Sequence, residues 1–155
     1  MESIRFDDIQ KLKSKISKDY GPWSEPIDVP QEKINKFADV TGDHQWIHID
    51  IERSKRESPF GGPVAHGFLT LSLLPAFKTK DEYTVTGFRN VVNYGANKLR
   101  FVAPVPAGAS VYSRSRLVAV EQRPMGTMVT RETEIQVVGA QKPAVVYEAL
   151  MLFVK

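Results

Sequence analysis

One segment of the sequence, residues 67–77, constrains the fold more than any other. Its apolar side chains surround a helix on every side: Phe68, Leu69, Leu71, Leu73, Leu74 and Phe77. A helix that is apolar all round is normally buried all round. In a chain of 155 residues, the rest of the protein must therefore wrap around this helix.

The second half of the chain has the patterns of the strands that could do so. Residues 127–138 alternate apolar and polar side chains, which predicts an antiparallel strand with one face exposed. Residues 97–102, 110–120 and 144–154 also predict strands, and proline- and glycine-containing turns separate them. We therefore predict an α+β fold, a single domain over residues 1–155, with antiparallel strands curled around one buried helix.

The first half predicts helices. Phe6, Ile9, Leu12 and Ile16 have helical spacing, which predicts an amphipathic N-terminal helix within residues 1–20. A second helix is expected to open at Pro30 and to stop at Gly42, because proline suits a first helical turn and glycine suits a helix end.

Composition excludes several classes of function. The chain has no cysteine, which excludes thiol catalysis and cysteine-ligated metals and suits a reducing cytoplasm. The N-terminus does not have the pattern of a secretory signal, and no apolar run approaches the length of a membrane span. A net charge of +3, spread along the chain, argues against a nucleic-acid partner but suits an anionic small ligand. We expect a cytoplasmic protein with neither nucleic acid nor membrane as partner.

The three histidines of the chain, His44, His48 and His66, all lie in one stretch. Histidine is the common general acid or base near neutral pH. Asp43 follows the helix-stopping Gly42, and His48 lies in an extended-looking segment five residues later. A carboxylate and an imidazole that reach one water could divide the acid and base roles. The alternative is that Asp43 caps a turn and His48 packs in the core.

A second candidate feature is the start of the buried helix at His66 or Gly67. The first amides of a helix have no internal partner, and a glycine lets a carbonyl approach them closely. Such amides can stabilise a developing oxyanion. The alternative is an ordinary helix start with a glycine for close packing.

The histidines also raise the question of a metal site. His44 and His48 have the spacing i, i+4, and His66 could be a third ligand. That motif needs a helix, and Gly42 together with the following Ile- and Trp-rich run argues against one. We predict no metal.

Two motifs in order resemble one known family. Residues 37–43 read FADVTGD and precede His48, and residues 64–68 read VAHGF; both resemble the MaoC-like hydratases, which include the (R)-specific enoyl-CoA hydratases. Residues 93–101, NYGANKLRF, and 104–108, PVPAG, look like the NodN-like branch. The resemblance runs from about residue 30 to the C-terminus. It implies the hot-dog fold, a curled antiparallel sheet around a long central helix.

The resemblance also implies an activity and its residues. The reaction would be reversible syn addition of water to a trans-2-enoyl thioester, giving an (R)-3-hydroxyacyl product. Asp43 and His48 match the catalytic pair that holds the water, and the Gly67 amide matches the donor to the thioester oxygen. Further substrate contacts are expected from Ala65, His66, Phe68, Tyr94 and Asn97. Lys98 and Arg100 are weaker candidates for the CoA phosphates.

The remaining expectations concern partners and departures from the family. The substrate would be an acyl-CoA or acyl-carrier-protein thioester, with no cofactor beyond the CoA that belongs to the substrate, and the protein would be a homodimer. Gln45-Trp46 stands where many relatives have Asn-Pro, and Pro75 stands where some have a serine. An acyl-CoA thioesterase, a non-catalytic acyl-thioester-binding protein and a non-enzymatic partner module are the alternatives.

Overall fold

A curled five-stranded antiparallel sheet dominates the structure, a computed structural model that describes residues 1–155. Its strands lie in the order β2-β5-β6-β7-β4, and a separate two-stranded parallel sheet pairs β1 with β3. The strands are β1 (Glu2–Arg5), β2 (Ile27–Asp28), β3 (Tyr83–Thr86), β4 (Asn90–Phe101), β5 (Ser110–Arg123), β6 (Gly126–Val137) and β7 (Val145–Val154). The helices are α1 (Ile9–Lys13), α2 (Gln31–Thr41), α3 (Trp46–Ile49), α4 (Ile51–Glu57) and α5 (Gly67–Ser72), and α5 is followed by a 3₁₀ helix, Leu74–Ala76. No helix has the length and hydrophobicity that a membrane-spanning segment needs.

The predicted strands of the second half are confirmed, and the alternation places two cores on one face of the sheet. Side chains alternate along a strand, so Val129 and Ile135 of β6 lie on the same face. Ile135 belongs to a core beside α2 and α5, here called the helix core: Val29, Ile34, Ala65, Leu69, Phe77, Val105, Val111, Ile135, Ala144 and Val145. Val129 belongs to a second core, the N-terminal core: Ile4, Leu12, Leu117, Val120 and Val129.

The other face of β6 is more covered than its polar pattern predicted. Thr130 and Glu132 are buried, and the hydroxyl of Tyr20 donates a hydrogen bond to Glu132. The segment before β2 therefore shields this face, which the alternation alone assigned to solvent.

The N-terminal helix predicted within residues 1–20 is wrong in extent. Only Ile9–Lys13 is helical, and it begins there because the Asp8 carboxylate accepts a hydrogen bond from the Lys11 amide. The residues before it form β1, which pairs in parallel with β3. Strand pairing and the burial of Ile4 in the N-terminal core override the helical spacing of the apolar residues.

The central helix is shorter than the long helix that the resemblance implied. α5 ends at Ser72, and the 3₁₀ helix that follows contains Pro75, which lacks an amide hydrogen and cannot continue an α-helix. Leu69 is buried, but Phe68 is 61% exposed in the single chain. Burial on every side therefore holds for only part of the segment.

Strand β4 begins earlier than expected and is irregular. The polar run at residues 93–97, expected to precede the strand, lies inside it. Its register against β7 shifts between Asn93 and Gly95 and again between Ala96 and Lys98. Each shift is a β-bulge, which leaves Tyr94 and Asn97 outside the regular pairing.

Candidate active site

His48 enters the site from a helical turn. Gly42 ends α2 in the left-handed conformation, at φ 80°, and the chain then turns into α3. The extended segment predicted at residues 46–49 is thus wrong, because these residues form one helical turn. The turn carries the His48 ring inward, where the residue is 8% exposed.

A backbone carbonyl fixes which nitrogen of His48 is available. Nδ1 lies 2.7 Å from the carbonyl oxygen of Val64. A carbonyl can only accept, so Nδ1 carries the hydrogen and Nε2 keeps a lone pair. Burial is the main cause that lowers the pKa of His48 below its ordinary value of 6.5. The arrangement therefore favours a neutral imidazole with a free basic nitrogen.

His66 links the Asp43 loop to the start of α5. Its Nε2 donates to the carbonyl oxygen of Asp43 at 2.9 Å, and its Nδ1 is buried without a hydrogen-bond partner. The His66 ring stacks on that of His48 with centroids 3.9 Å apart, and its other neighbour is Phe37 at 5.0 Å. His66 therefore contacts His48 and holds the backbone of Asp43.

The structure brings together the two residues that the sequence proposed as a pair. A carboxylate oxygen of Asp43 and one nitrogen each of His48 and His66 lie within 4.8 Å of one another. Asp43 is exposed in the single chain, and its Oδ1 accepts a 3.3 Å hydrogen bond from the Gln45 amide. One water molecule is small enough to contact both the carboxylate and the His48 ring.

The same three groups have the composition of a metal site, but the ring geometry is poor for one. His48 and His66 are inclined by only 28° and stacked 3.9 Å apart. A ligated ion lies near the plane of each imidazole, about 2.1 Å from its nitrogen. Stacked, nearly parallel planes do not converge on one such point. His44, the third histidine, is outside the cluster because it is exposed and bonded to Asp39 at 2.9 Å.

Gly67 and His48 line one cavity of about 280 Å³. Its walls are mostly apolar and include Val64, Ala65, Phe101 and Val105. Gly67 is the first residue of α5, and no side chain caps this helix end. A Cβ atom at Gly67 would lie 2.7 Å from a ring carbon of Phe101, so this position also needs glycine for packing.

The neighbours of Gly67 differ in how open they are. Ala65 is buried and lines the cavity, and its amide is already bonded to the Val105 carbonyl at 2.8 Å, so this amide is not free for a substrate. Phe68 is exposed and packs edge-to-face on Phe101, with centroids 5.3 Å apart. Ala65 thus forms part of the cavity wall, whereas Phe68 contacts this wall only through Phe101.

Tyr94 and Asn97 do not line this cavity within one chain. Asn97 donates to the Glu148 carboxylate at 2.9 Å, and Tyr94 is 66% exposed on β4. Lys98 pairs in register with Glu148, and Arg100 is exposed. Tyr94 and Asn97 therefore lie at the two register shifts of the edge strand β4, outside the lining of this cavity in the single chain.

The sequence reasoning missed Gln31. Its amide nitrogen donates to the carbonyl oxygen of His48 at 2.7 Å, and its buried Oε1 has no partner. Gln31 therefore fastens α3 to the start of α2. Nothing in its spacing signals this contact, because a glutamine in a first helical turn is ordinarily exposed.

Comparison with known proteins shows the family of the chain. A family model described as the MaoC like domain matches residues 13–138. The 3-hydroxyacyl-thioester dehydratase Z of Mycobacterium tuberculosis is 45% identical over 150 residues, which cover 96% of this chain and 97% of that protein. Nodulation protein N of Rhizobium leguminosarum bv. viciae is 41% identical over 132 residues, 84% of this chain and 81% of that protein.

A solved structure agrees with the fold. The (R)-hydratase from A. caviae involved in PHA biosynthesis superimposes with a TM-score of 0.68 at 22% identity, covering 88% of this chain and 98% of that chain. This likeness concerns the fold, and it confirms the hot-dog architecture that the resemblance implied. From the matched model and the identity over nearly its whole length, we conclude that the chain belongs to the family of MaoC-like domains.

Proposed function

We propose that this protein is a hydro-lyase that reversibly adds water to trans-2-enoyl thioesters and forms (R)-3-hydroxyacyl thioesters. The observation that carries the proposal is the meeting of the Asp43 carboxylate with the His48 ring, beside the cavity that Gly67 lines. The names of the relatives, a 3-hydroxyacyl-thioester dehydratase and an (R)-hydratase, support the same chemistry.

The proposed reaction uses the neutral His48 ring, whose Nε2 keeps a lone pair. Water held between Asp43 and His48 loses a proton to this pair, and its oxygen forms a bond to C3 of the enoyl group. The electron pair of the double bond moves towards the thioester oxygen, where the first amides of α5 stabilise the charge. The pair then returns a proton to C2, so the atoms of one water molecule are added on the same face.

His66 is proposed as a positioning residue in this reaction. Its hydrogen bond holds the Asp43 backbone, and its ring supports one face of the His48 imidazole. Both contacts fix geometry, which matters because misplacement of reacting groups by about 1 Å can cost roughly 100-fold in rate. Direct substrate contact by His66, predicted from the sequence, stays a prediction, as do those of Phe68, Tyr94 and Asn97.

The partners proposed for this site are an acyl-CoA or an acyl-carrier-protein thioester and a second copy of the chain. The chemistry needs no cofactor beyond the CoA of the substrate, because acid, base and oxyanion donor all come from the chain. A homodimer is supported by β4, a 12-residue edge strand that leaves Val91, Val92 and Tyr94 exposed. Cytoplasmic location stays a prediction.

The direct test is hydration of crotonyl-CoA by purified protein, followed as loss of the enoyl absorbance with the product stereochemistry determined. Asp43→Asn and His48→Gln should each lower turnover about 100-fold or more, because general acid–base groups contribute on that scale. The matched control is His44→Gln, which changes an exposed histidine outside the cluster and should keep wild-type turnover.

Two outcomes would contradict the proposal. A folded Asp43→Asn protein with near-wild-type hydration would remove Asp43 from the reaction. Release of free thiol from acyl-CoA without any hydration would identify the thioesterase alternative.

A further inference from the structure

A second cavity lies between the helix core and the N-terminal core, and the site described above does not use it. We call it the inter-core cavity; its volume is about 670 Å³. One wall is the end of α5 and the 3₁₀ helix, and the opposite wall is the face of the sheet on which both cores pack. Side chains of the two cores therefore cover both ends of this sheet face, and the cavity lies between them.

The part of the sheet wall that β5 and β6 form is polar, whereas β7 contributes Tyr147, Ala149 and Met151. Between Val129 and Ile135 on the same face of β6 lie Arg131 and Thr133, and Ser115 of β5 pairs in register with Thr133. Ser113, 2% exposed, also lines the cavity. Buried polar groups are costly without partners, and a cavity that only holds an alkyl chain is served by apolar walls. This polar strip therefore indicates an oxygen-bearing ligand.

Arg131 is the charged group of the strip, and its hydrogen bonds are incomplete. Its Nη1 donates to the Ser115 hydroxyl at 2.8 Å and to Asp81 at 3.4 Å, and its Nη2 lies 3.5 Å from the Tyr83 hydroxyl. A guanidinium has five donors in a planar fork. Two N–H donors of the guanidinium therefore have no partner. The ion pair with Asp81 is long, and the Asp81 side chain is 40% exposed.

The cavity lies along the helix that begins at Gly67. Leu71, one turn after Gly67, and Pro75, eight residues after it, both line the wall. Eight residues of helix span about 12 Å. An acyl chain whose thioester oxygen lies at the Gly67 amide, and which follows α5, would therefore bring its far end to this cavity.

Building on the proposed function, we propose that the enzyme acts on enoyl thioesters whose acyl chain ends in a carboxylate, which Arg131 binds in the inter-core cavity. The carboxylate accepts from the free donors of the guanidinium and from the hydroxyls of the polar strip. Carboxylate–guanidinium hydrogen bonds are short and strong because both partners are charged. Asp81 competes for the same guanidinium, so it weakens the binding.

The test compares two trans-2-enoyl-CoA substrates of equal length, roughly ten carbons to cover the 12 Å span, one with a methyl end and one with a carboxylate end. Wild-type kcat/KM should favour the carboxylate substrate about 10-fold or more, the scale of a charged hydrogen bond. Arg131→Met should remove this preference, and Asp81→Asn should increase it. Thr133→Val, which keeps the side-chain shape, should reduce it.

The control and the contrary outcomes separate the two proposals. Arg123→Met changes an exposed arginine of the β5–β6 hairpin and should leave the preference unchanged. Failure of wild type to hydrate crotonyl-CoA and both longer enoyl-CoA substrates would overturn the proposed function itself. Two other outcomes would overturn only the role of the inter-core cavity. One is hydration of crotonyl-CoA without any preference for the carboxylate-ended substrate. The other is a preference that persists in Arg131→Met and does not change in Asp81→Asn.

Discussion

At the scale of single residues, the two buried imidazoles share one mode of attachment. His48 and His66 each donate one ring N–H to a backbone carbonyl, of Val64 and of Asp43 respectively. The His48 ring is thereby fixed in one tautomer, with its Nε2 left as an acceptor. The orientation of both rings thus depends on the path of the backbone rather than on further side chains.

The depressed pKa of His48 predicts the pH dependence of the reaction. The active base is the neutral imidazole, so activity is lost as the pH falls through the pKa of His48, which burial lowers below 6.5. We expect kcat/KM to be constant at neutral pH and to decline only below pH 6.5. A ring-proton NMR titration of the free protein, with His44→Gln removing one of the three signals, should place the His48 midpoint in the same range. A midpoint above 6.5 would contradict this prediction.

Metal independence is also predicted at this scale. The stacked rings of His48 and His66 do not converge on one ion, so Asp43 and the two histidines should act as acid–base groups. Elemental analysis should find no stoichiometric metal in active protein, and chelators should leave turnover unchanged. A bound metal that is lost together with activity would refute the prediction.

The sequence could reveal some of these residues but not others. Asp43, His48 and Gly67 were predictable because histidines are few in this chain and because all three residues stand in recognisable sequence motifs. The structure places Asp43 next to His48, and His48 lines the same cavity as Gly67. Gln31 and Arg131 were not, because each reaches its partners across the fold. A glutamine in a first helical turn and an arginine in an alternating strand have the same local pattern as exposed side chains.

At the scale of elements, one hairpin requires a glycine. The turn from β5 to β6 ends at Gly126, where a Cβ atom would lie 1.9 Å from the Phe153 carbonyl oxygen. Gly126→Ala should therefore force β6 and β7 apart and destabilise the protein by about 2–3 kcal/mol. The midpoint of urea unfolding measures this loss. Gly62→Ala, where nothing lies within 4 Å, should change stability by no more than about 0.5 kcal/mol; equal stability of the two variants would contradict the clash.

Elements were predictable where local pattern and tertiary packing agree. Helix α2, between Pro30 and Gly42, and strands β5, β6 and β7 are confirmed because their ends carry proline or glycine and their pattern matches the packing. The N-terminal helix and the extended segment before α4 were wrong. Pairing of β1 with β3 decides the first, and the contacts of His48 and Gln31 hold the second as a helical turn. Neither contact is local in sequence.

At the scale of the whole molecule, the open edge of the sheet predicts a dimer. β4 has apolar side chains and backbone groups free to pair along one side, which is a liability for a monomer. Light scattering at micromolar concentration should give about twice the chain mass of 17.4 kDa. The double variant Val92→Lys, Tyr94→Lys should shift the protein towards monomer.

The matched control for the dimer changes an exposed apolar residue near the opposite edge of the sheet. Ile16 is 42% exposed and forms a bridge with Leu117 of β5, so Ile16→Lys should leave the dimer intact. A monomer for wild type that retains full activity would show that the second chain is dispensable.

The two-core arrangement also bears on how the chain is made. Ile4 and Leu12 leave the ribosome before their partners in the N-terminal core, Leu117 and Val129, which emerge more than a hundred residues later. The helix core also forms late, because it includes Val145 of the last strand, β7. Contacts this distant in sequence are slow to form because a long loop must close first. Neither core can be completed during most of translation, so the nascent chain must keep its apolar segments from aggregating until the last strand has been synthesised.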